Sequence, residues 1–392
     1  MDNSYENIPF DDEWNEDIVE DLKLNNYKSI VVYSRDWTIE TIFNQIKQNN
    51  IDLNPKFQRR NAWNDEKRSR LIESLILGLP VPEIVLAEHP TKRKSFIVID
   101  GKQRLLTIAG FMDPKNIQYW KVPKLTKLQQ TPHLNGKTFE DISEDPSLAD
   151  VKREFENADI RCTVISNYRE TDVLYDIFYR LNTGSVPLST QELRQVLNKG
   201  PFADYLYEAT QEFQPLHHVM GLKGADSRLR DIEMLLRFIS IKLFGKEYKG
   251  DLKRFLDESM RKINDNWDLW KETVKDTHRQ MNLSINRLIE VFTAENVGRK
   301  FIDGKYEKRF NKVLFEVQTF YFLFVNNDDL TPENKEELKK QFEKLCEDVT
   351  FRTSLEASTK TIAQYRKRYS LFKEYINKVL GKNIQEIPVP LD

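Results

Sequence analysis

Cysteine and histidine are scarce in this chain of 392 residues, which has two cysteines and five histidines. Cys162 and Cys346 show no metal-ligand spacing and no disulfide framework, which favours a reducing compartment. No apolar run approaches the roughly 18 residues that a membrane helix needs. Residues 1–6 also lack the basic start and apolar core of a signal peptide. We therefore expect a cytoplasmic protein with no membrane partner.

Hydrophobic and charged residues are both plentiful, at 39% and 31% of the chain, so a packed core and a charged surface are both available. The length suffices for two or three domains of ordinary size. The charge is uneven, because residues 1–24 contain nine acidic residues and a single lysine. This composition predicts a flexible tail over residues 1–30. A sharper alternative is that the tail competes with an anionic ligand for a basic surface.

The two halves of the sequence differ in their hydrophobic pattern. In the first half, short apolar runs predict strands at Ile84–Ala87, Phe96–Ile99 and 159–165. Helical spacing predicts helices at Trp37–Asn49 and Gln103–Phe111 among others, and residues 115–150 read as irregular. After Thr171 nearly every segment has helical spacing. The sequence therefore predicts an α+β protein, with an α/β N-terminal domain and an all-helical C-terminal domain.

The turn after the second predicted strand has the features of a phosphate site. The first turn of the helix that follows has unpaired N–H groups and the positive end of a helix dipole. Gly101 would allow close backbone approach, and Lys102 and Arg104 would add positive charge. Asp100 could hold Mg²⁺ or orient a water, and Thr107 lies about one helical turn further on.

An alternative reading of this turn needs no ligand at all. Asp100 would then be an N-cap, and the charged residues after it would simply be solvated. The turn does not match the P-loop pattern G-x-x-x-x-G-K-[ST], so its residues alone are a weak signal.

Two other segments combine polar and basic residues. Residues 54–63 place Gln58 and Arg59 between two aromatic residues, a composition that can stack a base and clamp a phosphate, or form a surface loop with anchored rings. Residues 179–194 contain a capping box of Ser189 and Glu192, which leaves Asn182 and Arg194 without a structural reason.

Together these segments resemble one family, the N-terminal domain of GmrSD-type restriction endonucleases, a ParB/sulfiredoxin-like NTPase or nuclease domain. The family patterns P-x-[FY]-Q-R-x-x-x-W and [VI]-[IV]-D-G-Q-Q-R-L correspond to Pro55–Trp63 and to the stretch that begins at Val98. Two further patterns correspond to Leu71–Pro82 and Arg180–Arg194. The order and the spacing of all four agree with the family.

The resemblance implies a ParB/sulfiredoxin-like nucleotide-binding domain over residues 31–185 and a helical domain over 186–392. It implies Mg²⁺-dependent hydrolysis of a nucleoside triphosphate, in a DNA-targeting, antiphage system of the type IV restriction kind. The residues expected to carry catalysis are Asp100, Gln103 and Arg104, with Asp100 also the metal ligand. The residues expected to bind nucleotide are Gln58, Arg59, Gly101, Lys102, Thr107, Asn182 and Arg194.

Two departures from the family are visible. Lys102 stands where the family usually has Gln, which should preserve phosphate binding but puts the rate of hydrolysis in question. Many long relatives also carry an HNH nuclease domain, which needs clustered His and Asn residues around a metal. His217, His218 and His278 are the histidines of the second half, and no second His–Asn cluster follows residue 280. We therefore expect no HNH nuclease domain in this sequence.

The expected partners are DNA and a nucleoside triphosphate. A separate nuclease subunit and further copies of this chain, in a homo-oligomer, are two other candidates. A candidate DNA surface is the basic run of Lys360 and residues 366–368, which could equally be a solvated helix face. Three other functions remain open: a ParB-like DNA-binding module, a metal-dependent DNA nuclease without significant NTP hydrolysis, and a nucleotide-switched regulatory subunit.

Overall fold

The computed structural model describes residues 27, 29–53, 63–117, 119–168, 173–175, 177 and 189–390. The chain divides into two compact units, one ending at Leu197 and the other beginning at Asn198. The first unit is built on a mixed five-stranded sheet, and the second is largely helical. The α+β class is therefore confirmed, whereas the ParB/sulfiredoxin-like assignment stays a prediction. No helix among the described residues is long and apolar enough to cross a membrane.

The sheet of the first unit has the strand order β1-β5-β3-β4-β2. Its strands are β1 Val31–Thr38, β2 Ile51–Asp52, β3 Ile84–Glu88, β4 Phe96–Asp100 and β5 Asp159–Ser166. The β1–β5 and β3–β4 pairs are antiparallel, and the β3–β5 and β2–β4 pairs are parallel. The carboxyl end of β4 therefore lies beside the start of β3, where Asp100 is opposite Val85.

Helices cover both faces of this sheet. They are α1 Ile39–Lys47, α2 Asp65–Ile76, α3 Lys102–Met112, α4 Phe139–Glu144, α5 Ala149–Asn157 and α6 Thr190–Leu197. Helices α1 to α5 contribute to a large apolar core on the face that bears Leu86 and Val98. Helix α6 packs Leu193 against the other face, because successive strand side chains point to opposite sides.

Helices form most of the second unit. They are α7 Pro201–Ala209, α8 Pro215–Val219, α9 Arg230–Phe244, α10 Leu252–Asp265, α11 Trp267–Phe292, α12 Lys312–Tyr321, α13 Pro332–Glu347, α14 Val349–Glu356 and α15 Ile362–Leu380. Short 3-10 turns lie at Gly245–Glu247, Phe322–Phe324 and Asn327–Asp329 in this unit, and at Pro132–Leu134 and Pro146–Leu148 in the first unit. Almost every residue of α12 is buried, which makes this helix a central element of the unit.

The prediction of an all-helical C-terminal domain is corrected by a small antiparallel hairpin, formed by β6 Phe301–Ile302 and β7 Lys305–Tyr306. Asp303 and Gly304 connect its strands with φ of 51° and 74°. An Asp-Gly pair with positive φ at both residues is the preferred tight turn of a hairpin.

Several regular elements of the described chain differ from the predictions. Strand β1 lies where the sequence shows no clear alternation, and it overlaps the start of the helix predicted from Trp37. Helix α4 lies in the stretch read as irregular, where Thr138 forms a capping box at its start. Helix α5 begins at the end of that stretch and continues over residues for which no element was predicted. The predicted acidic tail lies outside the described residues, apart from residues 27, 29 and 30.

Candidate functional site

A buried strand delivers the chain to the candidate turn. Phe96, Ile97, Val98 and Ile99 of β4 are all buried, while Asp100 at its end is partly exposed. Gly101 then adopts a left-handed conformation, with φ of 93°. A Cβ atom added at Gly101 would lie 3.0 Å from Cγ1 of Ile84 and 3.3 Å from its Cα. The backbone can therefore turn at this point only because the residue is glycine.

Helix α3 begins directly after this turn without a side-chain cap. Gly101 is its N-cap residue, and no described side chain accepts a hydrogen bond from the N-terminal N–H groups as a cap. The first intrahelical bond runs from the Leu105 N–H to the Gly101 carbonyl at 3.0 Å. The reading of Asp100 as an N-cap is therefore wrong, and the first turn of α3 presents N–H groups and a positive dipole end.

The carboxylate of Asp100 pairs instead with Arg104. Nη2 of Arg104 donates to Oδ2 of Asp100 at 2.6 Å and to the backbone carbonyl of Glu83 at 2.9 Å. The Arg104 side chain is 11% exposed and that of Asp100 is 31% exposed, so the ion pair sits at the rim of the interior. The carboxylate of Glu83 in turn accepts from the Thr163 hydroxyl at 2.8 Å, which ties the start of β3 to β5.

Gln103 faces a different group of residues. Its side-chain carbonyl oxygen accepts a hydrogen bond from the hydroxyl of Tyr119, which lies in the segment after α3. The guanidinium carbon of Arg68, from α2, lies 4.7 Å from the centroid of the Tyr119 ring. Burial raises the pKa of Tyr119 to about 12, and Arg68 acts against that rise. The sequence patterns did not single out Tyr119 or Arg68.

Lys102 has a favourable electrostatic interaction with Glu192, which lies near the end of the first unit. Burial lowers the pKa of Lys102, and the nearby carboxylate of Glu192 opposes that shift. Glu192 belongs to α6, where its Oε2 accepts from the Ser189 N–H at 2.6 Å, and its own N–H donates to the Ser189 hydroxyl at 3.2 Å. The predicted capping box is therefore formed, and it holds an acidic residue close to the lysine of the turn.

Of the remaining predicted site residues, Thr107 and Arg194 are described, and both are buried. Thr107 is fully buried and its hydroxyl donates to the Gln103 backbone carbonyl at 2.8 Å. Arg194 is also fully buried, and its Nη1 donates to Oε1 of Gln191 at 2.8 Å. Gln58, Arg59 and Asn182 lie outside the described residues.

Within the described ranges, no three His, Cys, Asp or Glu side chains come together as a metal site. The His217 ring is fully buried in the second unit, where Nε2 lies 3.0 Å from Oδ2 of Asp231. Nδ1 of His217 accepts from the backbone N–H of Gln214 at 3.1 Å, so Nε2 carries the hydrogen that points to Asp231. Both ring nitrogens of His217 are thus occupied, Nδ1 at the start of α8 and Nε2 in the contact with Asp231 of α9.

The candidate DNA surface at the C-terminal end is corrected at Arg368. Arg368 is fully buried, and its Nη1 donates to the Thr359 carbonyl at 2.8 Å. Nε of Arg366 donates to the carbonyl of Pro390. Lys367, by contrast, is exposed. A buried arginine cannot contact a phosphate backbone, so Arg368 does not belong to such a surface.

Comparison with known proteins agrees with the geometry of the first unit. Residues 39–197 match a family model described as GmrSD restriction endonuclease, N-terminal domain. The matched range begins at the first residue of α1 and ends at the last residue of α6. No curated protein and no solved structure matches the chain. Over residues 39–197, the chain therefore carries a GmrSD restriction endonuclease N-terminal domain.

Proposed function

We propose that this protein is a nucleoside triphosphatase of a DNA-targeting restriction or antiphage defence system, with the nucleotide phosphates bound at Asp100–Arg104. The family match supports the restriction and defence role. The observation that supports the chemistry is the uncapped N-terminus of α3, which follows a buried strand and a glycine turn. N–H groups and a dipole end arranged in this way attract phosphate.

Each side chain of the turn has a separate role in this proposal. Arg104 grips a phosphate oxygen from the rim of the site, and Lys102 supplies positive charge beside it. Asp100 leaves its pair with Arg104 when nucleotide enters, because the phosphate offers the guanidinium a stronger anionic partner.

Mg²⁺ is the expected metal, and the donor chemistry fits it. Mg²⁺ is usually held by one or two carboxylates together with phosphate oxygens and waters, rather than by a complete protein cage. A single partly exposed carboxylate beside a phosphate-binding helix end meets this requirement, and Asp100 is such a group. The metal would lower the charge on the phosphates and orient them, whereas the protein residues would hold the nucleotide.

The decisive experiment measures nucleotide affinity and phosphate release with ATP, GTP, CTP and UTP, with and without Mg²⁺. Arg104→Ala should weaken binding about tenfold to a hundredfold, since a hydrogen bond to a charged group contributes about 1.5–3 kcal/mol. Asp100→Asn should depress hydrolysis more than binding, and binding without metal should change little. Arg153→Ala is the matched control, because Arg153 also pairs with a nearby aspartate but lies exposed on α5.

Contrary results would separate the remaining alternatives. Wild-type turnover in Asp100→Asn would remove the proposed chemistry. Nucleotide binding without phosphate release would favour the regulatory switch. DNA binding without any nucleotide affinity would favour a ParB-like module. Nicking of plasmid by the protein with Mg²⁺ or Mn²⁺ and no nucleotide would favour a nuclease.

A further inference from the structure

The side chain of Gln103 is held by a relay of three residues that begins on α2. Nη1 of Arg68 donates to Oδ1 of Asp65 at 2.7 Å, which anchors the guanidinium. Arg68 is 5% exposed and lies against the rings of Tyr119 and Trp120, with its guanidinium carbon 4.7 Å and 5.8 Å from their centroids. Tyr119 is 3% exposed, so the part of the relay formed by Arg68 and Tyr119 is closed to bulk water, whereas Asp65 is exposed.

The direction of the hydrogen bonds in this relay follows from the chemistry of its members. The guanidinium of Arg68 lies against the Tyr119 ring, and it has donors and no acceptor, so it cannot take the phenol hydrogen. Tyr119 donates that single hydrogen to the Gln103 side chain. A donor must meet an acceptor, so the atom of Gln103 that faces Tyr119 is the carbonyl oxygen rather than the amide nitrogen.

We propose that Tyr119 is a positioning residue that fixes the carboxamide of Gln103, so that its N–H₂ group and not its carbonyl meets the nucleotide phosphate. The inference rests on the proposed function, because it assigns a role within that site. Gln103 is the second residue of α3, and its two amide hydrogens extend the row of backbone donors at the helix start. In this arrangement Gln103 donates hydrogen bonds to the phosphate and does not orient the attacking water through its carbonyl.

Two variants test this role. Tyr119→Phe keeps the ring that packs on Arg68 and removes only the hydroxyl, and it should lower the rate of phosphate release about tenfold at saturating nucleotide. Gln103→Glu keeps a carbonyl-type acceptor for Tyr119 and replaces the N–H₂ by a carboxylate oxygen, so it should weaken nucleotide binding at least tenfold. Tyr168→Phe is the control, because the Tyr168 hydroxyl donates to the Glu88 carbonyl at the other end of β3.

A double-mutant cycle gives a readout that does not depend on turnover. Urea unfolding is measured for Tyr119→Phe, Gln103→Leu and the double variant. The unfolding equilibrium constant of the double variant should differ severalfold from the value expected if the two single effects were additive in free energy. Additive effects within a factor of two would overturn the contact itself. If the two variants are coupled but Tyr119→Phe keeps wild-type turnover, the positioning role is overturned and the triphosphatase proposal stands. Wild-type nucleotide affinity in Gln103→Glu would have the same consequence. Absence of nucleotide binding by the wild type would overturn both proposals.

Discussion

At the scale of single residues, Gly101 meets two demands at once. Its backbone has φ of 93°, and an added Cβ would approach both the side chain and the Cα of Ile84. The sequence suggested that glycine here would allow a phosphate close to the backbone. The structure adds a second reason, which is that β3 passes directly beneath the turn.

We predict that Gly101→Ala destabilises the first unit by more than the cost of placing a side chain at a residue with positive φ. Gly136→Ala is the matched control, because Gly136 has φ of 85° but nothing within 4 Å of its added Cβ. Both substitutions place a side chain in the left-handed region, at a cost of about 1 kcal/mol. Crowding against Ile84 should add about 1–3 kcal/mol for Gly101→Ala in urea unfolding. Equal losses for the two variants would show that the contact with Ile84 is unimportant.

Residue-level reasoning was most successful where the local backbone determines the role. The Gly-Lys-Gln-Arg segment lies at the start of α3, as its strand–turn–helix pattern predicted. The same reasoning could not identify Tyr119, because this residue lies in an irregular segment with no motif of its own. Its proximity to Gln103 results from the way the chain returns along α3, and no local signal records that path.

At the scale of elements, the start of α6 is defined by the capping box of Ser189 and Glu192. We predict that Ser189→Ala lowers the stability of the first unit by about 1 kcal/mol, because it removes the acceptor for the Glu192 N–H. Ser189→Thr keeps a hydroxyl at the same position and should recover most of that loss. Urea unfolding of both variants provides the measurement. A silent Ser189→Ala would indicate that α6 begins without this cap.

Elements were predicted well when their own residues contain the signal. Strands β3 and β4 are short apolar runs, and β5 alternates polar residues with the buried Ile160, Cys162 and Val164. Each of the three lies within one residue of its predicted bounds. Strand β1 was missed because most of its side chains are exposed and five of its eight carry a charge or a hydroxyl group. What makes it a strand is pairing with β5, whose residues lie far along the chain, as in Val31 opposite Ser166.

At the scale of the whole molecule, several charged groups lie inside the helical unit rather than on its surface. Arg368, Arg237 and Glu316 are all buried, and Nη1 of Arg237 lies 3.8 Å from Oε2 of Glu316. The guanidinium carbon of Arg368 lies 3.6 Å from the centroid of the Tyr365 ring. Burial raises the pKa of Glu316, and the two arginines act against that rise. Removing one member of such a group leaves its partners without compensation.

We therefore predict that Arg368→Met destabilises the helical unit by about 3 kcal/mol and leaves DNA affinity unaffected in the protein that remains folded. Its neighbour provides the control, because Lys367 is exposed. Lys367→Met should change stability by less than about 0.5 kcal/mol. Unfolding curves and DNA binding at two salt concentrations provide the measurements. A stable Arg368→Met with weakened DNA binding would restore the original surface prediction.

The sequence by itself determined the α+β class, the strand–turn–helix that carries the candidate site, and the match of residues 39–197 to the GmrSD N-terminal domain. These features depend on hydrophobic period, turn chemistry and short motifs, which are all local. Only the tertiary structure decided that Asp100 pairs with Arg104, that Glu192 lies near Lys102, and that Arg368 is buried. Each of these outcomes depends on which segments meet in space, and a charged residue has the same local signature whether it faces water or a buried partner.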